Sequence, residues 1–173
     1  MITFATAILA FVTVQRLGEL VLAKRNTERL LARGAREEAP GHYLLIVVMH
    51  AAWLLGLWWL AWDSPVNLFW LAIFVVLQCL RIWVLATLGE RWTTKIIVLP
   101  GAEPIRTGPF RFLNHPNYAV VIGEIAVLPL TFGLVWFAVV FSVLNAAVLY
   151  IRIRAENAAL AAASAEAPPQ TAG

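Results

Sequence analysis

Residues 106–124, RTGPFRFLNHPNYAVVIGE, crowd charged, hydroxyl, amide, imidazole and aromatic groups between long apolar runs. A Gly-Pro pair interrupts any preceding helix. His115 precedes a proline, which disfavours the helical conformation, whereas Pro116 suits the first position of a new helix. The sequence therefore predicts a helix that begins at Pro116, with Asn114 or His115 as its cap.

The start of this helix is a candidate binding site. The first backbone N–H groups of a helix lack intrahelical partners, and the positive end of the helix dipole lies beside them. Both features favour an anionic group such as a carboxylate. We therefore expect the ligand of this protein to bind around His115.

The composition is that of an integral membrane protein. Hydrophobic residues make up 61% of the 173 residues and charged residues 13%, and the mean hydropathy is +0.79. A soluble domain of this length does not need so apolar a chain. The lone Cys79 excludes an internal disulfide. We predict one membrane-embedded domain, residues 1–163, and a disordered Ala- and Pro-rich tail, residues 164–173.

Five apolar runs are expected to cross the membrane as helices, since about 20 residues at about 1.5 Å each span the hydrocarbon layer. The runs are residues 2–23, 42–62, 67–88, 116–132 and 134–161. Gly133 allows a tight turn, so the last two form an antiparallel hairpin. The predicted fold is an all-α polytopic membrane bundle with a polar connector, residues 89–107, before the fourth helix.

The basic residues set the expected orientation. All 13 Lys and Arg lie on the first loop, on the connector, at the end of the fifth helix, or at adjoining span ends. The opposite loops carry only Asp63. The positive-inside rule then places the N-terminus outside and the connector and C-terminus in the cytoplasm. Because the basic residues flank apolar spans and form no solvated face, we expect no nucleic-acid partner.

Several polar residues inside the apolar runs have two interpretations. Arg16 and Glu19, three residues apart, form either an interfacial ion pair or a wall of a polar cavity. His50 is either a hydrogen-bonded packing residue or part of a site. Arg81 either extends to the membrane surface or faces the site. The sequence leaves these alternatives open.

Glu124 is a carboxylate two turns inside an apolar helix. It lies seven residues after Asn117, so the two share a helix face. A buried carboxylate is costly unless it is partnered, and it is therefore either functional or an ion-pair partner of Arg81 or Arg16. We predict a catalytic role for Glu124.

The fifth helix carries a polar stripe, because Asn145, Arg152 and Glu156 recur at spacings of seven and four. By themselves, Arg152 and Glu156 are also compatible with a surface ion pair. The three histidines have unrelated spacings and no cysteine partner, so we expect no metal site. No GxGxxG follows a strand, which excludes a Rossmann domain.

Two segments resemble the signatures of the isoprenylcysteine carboxyl methyltransferase family. GPFRFLNHPNY, residues 108–118, resembles its G-P-[YF]-R-[YF]-x-x-H-P-x-Y motif, and RIRAENAAL, residues 152–160, resembles R-I-x-x-E-E-x-x-L. LGERWTTKIIVLPGAEPIRTGPF, residues 88–110, resembles the run-in to the first motif. Asn114 stands where many members carry Arg, and Asn157 where many carry a second Glu.

The resemblance implies a membrane enzyme that moves a methyl group from S-adenosyl-L-methionine to an oxygen. It implies a cofactor site, mainly within residues 89–160, made of Phe110, His115, Pro116, Asn117, Tyr118, Arg152 and Glu156. Glu156 would hold the amino or ribose groups of the cofactor, and His115 with the helix start its carboxylate. Phe110 and Tyr118 would enclose the adenine. Arg152 is also a candidate catalytic residue, which would orient either the acceptor oxygen or the cofactor carboxylate.

The resemblance also limits the acceptor. The family name implies a prenylcysteine carboxylate, whereas Asn114 and the short tail look like a bacterial branch that methylates alkylpyrone-type enol oxygens. We expect a lipophilic acceptor that enters from the bilayer of the bacterial inner membrane. An amine N-methyltransferase of phospholipids and a non-catalytic transporter or structural membrane protein remain alternatives, although no inverted repeat supports a transporter.

The orientation is testable with single cysteines at Ser64 and Ser164 in a Cys79→Ser background. An impermeant maleimide should label Ser64→Cys in intact cells and Ser164→Cys only after permeabilisation, because the basic residues place the two on opposite sides. Labelling of both from one side would contradict the orientation.

Overall fold

The structure is a computed structural model that describes residues 2–38, 41 and 43–166, and of residues 160–166 it describes the backbone alone. Five helices form the bundle, and the predicted all-α architecture is confirmed. The helices are α1 (Phe4–Ala32), α2 (Tyr43–Ala61), α3 (Leu68–Leu88), α4 (Pro116–Thr131) and α5 (Val135–Glu166).

Four of these helices, α1, α2, α3 and α5, are long and apolar enough to cross a membrane. The predicted fourth span, α4, has 16 residues and is shorter, about 24 Å at 1.5 Å per residue. Large apolar side chains are exposed on the outside of the bundle, among them Val14, Val76 and Val143. Such an apolar exterior is what bilayer hydrocarbon covers.

The ends of two helices differ from the predicted spans. α1 continues nine residues past residue 23, to Ala32, because its charged segment is rich in Leu, Arg, Lys and Glu, which favour helix. α5 continues to Glu166, so residues 164–166 of the predicted tail are helical, as their Ala-rich sequence favours. Residues 167–173 and His42, the predicted start of the second span, lie outside the described residues.

A two-stranded antiparallel sheet was absent from the prediction. β1 (Arg36–Glu38) follows α1 and pairs with β2 (Ile96–Val98) of the connector. Lys95 and Glu37 form an ion pair of 2.8 Å beside it. The sheet therefore ties the first loop to the connector.

The apolar core lies at one end of the bundle. Leu57, Ala61 and Leu128 are fully buried there, near the turns that join α2 to α3 and α4 to α5. The N–H of Asn67 donates to the Thr131 carbonyl at 2.8 Å and so joins these two turns. The opposite end, which carries the connector, is left for polar groups.

The hairpin of α4 and α5 and the contact of α4 with α3 depend on two glycines. Gly133 adopts a φ of 75° in the turn between α4 and α5, a conformation that glycine adopts most easily. A Cβ on Gly123 would lie 2.8 Å from a methyl group of Leu77 on α3. The missing side chain therefore lets α3 and α4 approach closely.

A buried ion network joins α1, α3 and α4. The guanidinium of Arg81 pairs with Glu19 and, at 2.7 Å, with Glu124. Arg16 also pairs with Glu124 at 2.7 Å and with Glu19 at 3.2 Å. Gln78 donates a further hydrogen bond of 2.7 Å to Glu124. Two arginines and two glutamates therefore cancel in formal charge inside the bundle.

The network decides two of the alternatives that the sequence leaves open. Arg81 is 4% exposed and does not extend to the membrane surface. Glu124 is 1% exposed and has both of the ion-pair partners that the sequence proposed, Arg81 and Arg16. Each carboxylate thus has compensation for the cost of burial.

Breaking the network should destabilise the protein. Arg81→Ala leaves two buried carboxylates with Arg16 alone, and we expect a loss of about 3 kcal/mol or more in the free energy of unfolding. Arg154→Ala is the matched control, because Arg154 is exposed and its hydrogen bond joins only Tyr150. Thermal unfolding in detergent measures both variants, and equal unfolding temperatures would contradict the stabilising role.

Candidate functional site

Two adjacent cavities lie at the end of the bundle that carries the connector. The connector cavity, about 210 Å³, lies between β2, the start of α4 and α5. The interhelical cavity, about 310 Å³, lies mainly between α1, α2, α4 and α5. The residues that line both cavities are Trp92, Thr93, Asn117, Tyr118 and Arg152. We call these five residues the shared wall.

The connector cavity brings together the residues that the sequence proposed for a cofactor site. All seven of them line it: Phe110, His115, Pro116, Asn117, Tyr118, Arg152 and Glu156. They come from three separate segments, namely the single turn of helix Gly108–Arg111, the start of α4, and α5. The fold therefore converts two sequence motifs into one cavity lining, while the role of each residue stays a prediction.

The start of α4 is built as the sequence predicts. Of the two proposed cap residues, His115 holds the cap position and Pro116 is the first helical residue. No side chain caps the helix, and the His115 carbonyl accepts hydrogen bonds from the N–H groups of Tyr118 and Ala119, at 3.1 and 3.3 Å. The rings of His115 and Tyr118 stack with centroids 5.0 Å apart. An uncapped helix start and an aromatic pair thus face one cavity.

Tyr118 links the two charged residues of the predicted stripe on α5. Its hydroxyl donates to the Glu156 carboxylate and accepts from Arg152 Nε at 2.9 Å. Arg152 Nη1 donates to the Thr94 carbonyl at 2.8 Å, which fixes the guanidinium between α5 and the connector. Arg152 and Glu156 are therefore joined through Tyr118 in the cavity wall, and the surface ion pair considered from the sequence is not what forms.

The shared wall contains buried polar atoms without partners. Within the described part of the chain, Asn117 Oδ1 and Trp92 Nε1 are buried and make no hydrogen bond. Each such atom costs about 1–3 kcal/mol if it stays unpaired. One atom is an acceptor and the other a donor, so a polar ligand at the shared wall would satisfy both.

The interhelical cavity opens toward the bilayer. Leu17 and Leu20 on α1 and Val47 on α2 line the cavity and are also exposed on the outside of the bundle. On the inner side, Val121 and Leu149 supply apolar walls from α4 and α5. The apolar lining of the cavity therefore continues to the outer surface of α1 and α2.

The polar residues of α1, α2 and α3 lie at the same cavity. Arg16 and Glu19 pair with each other, belong to the buried ion network and line the cavity, which agrees with the interpretation as a cavity wall and not with that of an interfacial ion pair. Arg81 lines it as well. His50 lines the cavity, while its Nδ1 is hydrogen-bonded to the Ile46 carbonyl at 2.9 Å.

Glu124 lines neither cavity. Its carboxylate lies behind Arg16 and Arg81, which separate it from the interhelical cavity. This geometry agrees with the ion-pair alternative, and it gives the predicted catalytic role of Glu124 no support.

Part of the candidate site was not predicted from the sequence. Thr93, Thr94 and Tyr43 line the interhelical cavity, and β2 lines the connector cavity. For Thr93, Thr94 and β2, the only signal in the sequence was the run-in to the first motif, residues 88–110, which resembles the family sequence over its whole length. Tyr43 carried no signal, because its contact with Thr94 joins residues that are distant in sequence.

Comparisons with known proteins agree with this geometry. The model of the isoprenylcysteine carboxyl methyltransferase (ICMT) family matches residues 70–162, which include all residues that line the connector cavity. The uncharacterized protein YpbQ of Bacillus subtilis (strain 168) is 39% identical over 158 residues, 88% of this chain and 94% of that protein.

An uncharacterized protein of Haemophilus influenzae is 29% identical over 166 residues, which cover 92% of this chain and 93% of that protein. No solved structure matches the chain. The family match extends over more than half of the sequence and includes both motifs. The predicted family is thus confirmed, and the chain belongs to the isoprenylcysteine carboxyl methyltransferase family.

Proposed function

We propose that the protein is an S-adenosyl-L-methionine-dependent O-methyltransferase that methylates an acidic oxygen of a lipophilic acceptor. The observation that carries the proposal is the shared wall, which separates a polar cavity at the connector from a cavity that opens to the bilayer. A donor in the first cavity and an acceptor in the second would meet there. Membership of the family supports the reaction class.

The connector cavity fits the proposed cofactor. The uncapped start of α4 suits its carboxylate, and Glu156 suits its amino or ribose groups. The stacked rings of His115 and Tyr118, with Phe110 nearby in the lining, suit the adenine. The unpaired Asn117 Oδ1 would accept a hydrogen bond from a donor group of the cofactor, at either its amino-acid end or its nucleoside end. When bound, the cofactor supplies an electrophilic methyl group on a positively charged sulfur.

Arg152 is the residue that we propose to orient the acceptor oxygen. Thr94 and Tyr118 occupy its Nη1 and Nε, so the guanidinium is held at the shared wall with Nη2 available. A fixed cation there favours an anionic oxygen over a cationic or neutral amine. This charge disfavours the alternative of a phospholipid amine acceptor.

The chain needs to supply little proton chemistry. A carboxylate or an acidic enol is already largely ionised near neutral pH, so no strong general base is required. The work of the protein is then to position the oxygen and exclude water. The apolar lining of the interhelical cavity contributes to the exclusion of water.

The apolar opening of the interhelical cavity supports a lipophilic acceptor. We propose a prenylcysteine-like carboxylate or an alkylpyrone-like enol, whose chain enters between α1 and α2. The distribution of basic residues supports a cytoplasmic location for the connector and the shared wall. The polar end of the acceptor would thus lie near the cytoplasmic surface while its chain remains in the membrane.

Binding of the cofactor is the first test. Calorimetry should show binding of S-adenosyl-L-methionine and its demethylated product, and His115→Ala and Glu156→Ala should each weaken it more than tenfold, at least about 1.4 kcal/mol. Arg154→Ala, an exposed change on the same helix as Glu156, should bind normally. Failure of the unaltered protein to bind, in detergent and in lipid alike, would refute the proposal.

The acceptor is tested with radiolabelled cofactor and membranes that contain the protein. A panel of prenylcysteine, alkylpyrone, fatty acid and phosphatidylethanolamine should show label on an acidic oxygen. Arg152→Ala should reduce kcat by about tenfold or more and change KM less, because the oriented anion matters most in the transition state. Arg154→Ala is again the control. Label only on the phosphatidylethanolamine amine would contradict the oxygen acceptor.

A further inference from the structure

The interhelical cavity has a second polar level, deeper in the bundle than the shared wall. Three helices each carry a pair of polar residues seven positions apart: Tyr43 and His50, Asn117 and Glu124, and Asn145 and Arg152. Seven residues are nearly two turns, so the members of a pair share a helix face about 10 Å apart. The first level contains Tyr43, Asn117 and Arg152. The deeper level contains His50 and Asn145 in the cavity lining, with Glu124 behind the arginines.

The deeper level contains buried polar atoms that have no partner in the described part of the chain. Asn145 is 1% exposed, lines the cavity, and leaves its Oδ1 without a hydrogen bond. Trp53 Nε1 and Arg16 Nε are also buried, unpaired and part of the cavity lining. The ion network therefore leaves donors and an acceptor unused at the same depth.

His50 adds an acceptor to this level. Its Nδ1 lies 2.9 Å from the Ile46 carbonyl, which can only accept, so Nδ1 carries the proton of that hydrogen bond. In the neutral ring, Nε2 is then an acceptor. No hydrogen bond of the described residues involves this atom.

Packing alone does not explain Asn145. A leucine of similar size would avoid the cost of burying an unpaired amide beside Val148 and Leu149, which are apolar and also line the cavity. The ion network does not use Asn145 either, since none of its hydrogen bonds involves the amide. A ligand with a polar group at the same depth would give the unpaired amide of Asn145 a hydrogen-bond partner.

We propose that the acceptor carries a second polar group, about 10 Å along its chain from the methylated oxygen, and that Asn145 binds this group. The inference rests on the proposed function, because it takes the interhelical cavity as the acceptor site. The apolar side chains of Val121, Val148 and Leu149 face the chain between the two levels.

The second group is neutral and both donates and accepts hydrogen bonds. Two arginines and two glutamates already balance at this depth, so a further charge would find no free partner of opposite sign. Among the described residues that line the cavity at this depth, the unused groups are the amide of Asn145, the Nε–H of Arg16, the Nε1–H of Trp53 and the acceptor of His50. A hydroxyl, or an amide that joins two parts of the chain, satisfies such a set.

The experiment compares two probes that differ only in this group. Stearate and a stearate with a mid-chain hydroxyl, placed about 10 Å from the carboxylate, are titrated into the protein saturated with the demethylated cofactor. Calorimetry should show about tenfold tighter binding of the hydroxylated probe, equivalent to about 1.4 kcal/mol. Asn145→Leu should bring the ratio of the two dissociation constants close to one.

Two further measurements separate binding from structure. Leu149→Met alters the same wall one turn away without removing a polar group, and it should keep the preference for the hydroxylated probe. Asn145→Leu should also unfold at a higher temperature than the unaltered protein when no acceptor is present, because it removes a buried unpaired amide. A structural role for Asn145 predicts a lower temperature.

The outcomes are distinct. No preference in the unaltered protein, including failure of both probes to bind, overturns the second polar group, and so does a preference that survives Asn145→Leu. The demethylated cofactor is bound in the first step of the same titration. Its failure to bind overturns the proposed function itself, whereas a bound cofactor without any preference overturns only this inference.

Discussion

A charge inside a membrane has to find its opposite within the protein, and this constraint organises the bundle. Glu19 and Glu124 are buried inside the bundle, and Arg81 and Arg16 neutralise them by contacts that join α1, α3 and α4. The side chains that satisfy the charges also line the interhelical cavity. Stability and the shape of the site are therefore set by the same contacts.

The position of Arg152 depends on a second constraint, the return of the connector to the bundle. The side-chain amide of Asn26 on α1 donates hydrogen bonds to the Gly89 and Trp92 carbonyls at 3.1 and 2.9 Å, and β1 pairs with β2. These contacts bring the Thr94 carbonyl to Arg152 Nη1. A loop that follows a membrane helix thereby becomes a fixed wall between two cavities.

Whether a feature could be predicted from the sequence depends on how far apart along the chain its contacting residues lie. The helices and the start of α4 depend on local signals, namely long apolar runs and a proline after His115. The seven residues predicted for the cofactor site all line the connector cavity and lie in two compact motifs, so a resemblance could identify them together. Both kinds of information are contained in short stretches of chain.

The remaining features depend on pairings across the sequence. The β1–β2 sheet, the contact of Tyr43 with Thr94 and the partners of Glu124 join residues at least 43 positions apart. Apolar patterning leaves such pairings open, which is why Arg81 and Glu124 each kept two interpretations until the helices were assembled. The two unpaired atoms of the shared wall are likewise a product of packing, with no local signature.

The two cavities draw their linings from partly different parts of the chain. Residues 70–162, which the family has in common, contain the whole lining of the connector cavity, whereas α1 and α2 precede this segment and form the opening of the interhelical cavity to the bilayer.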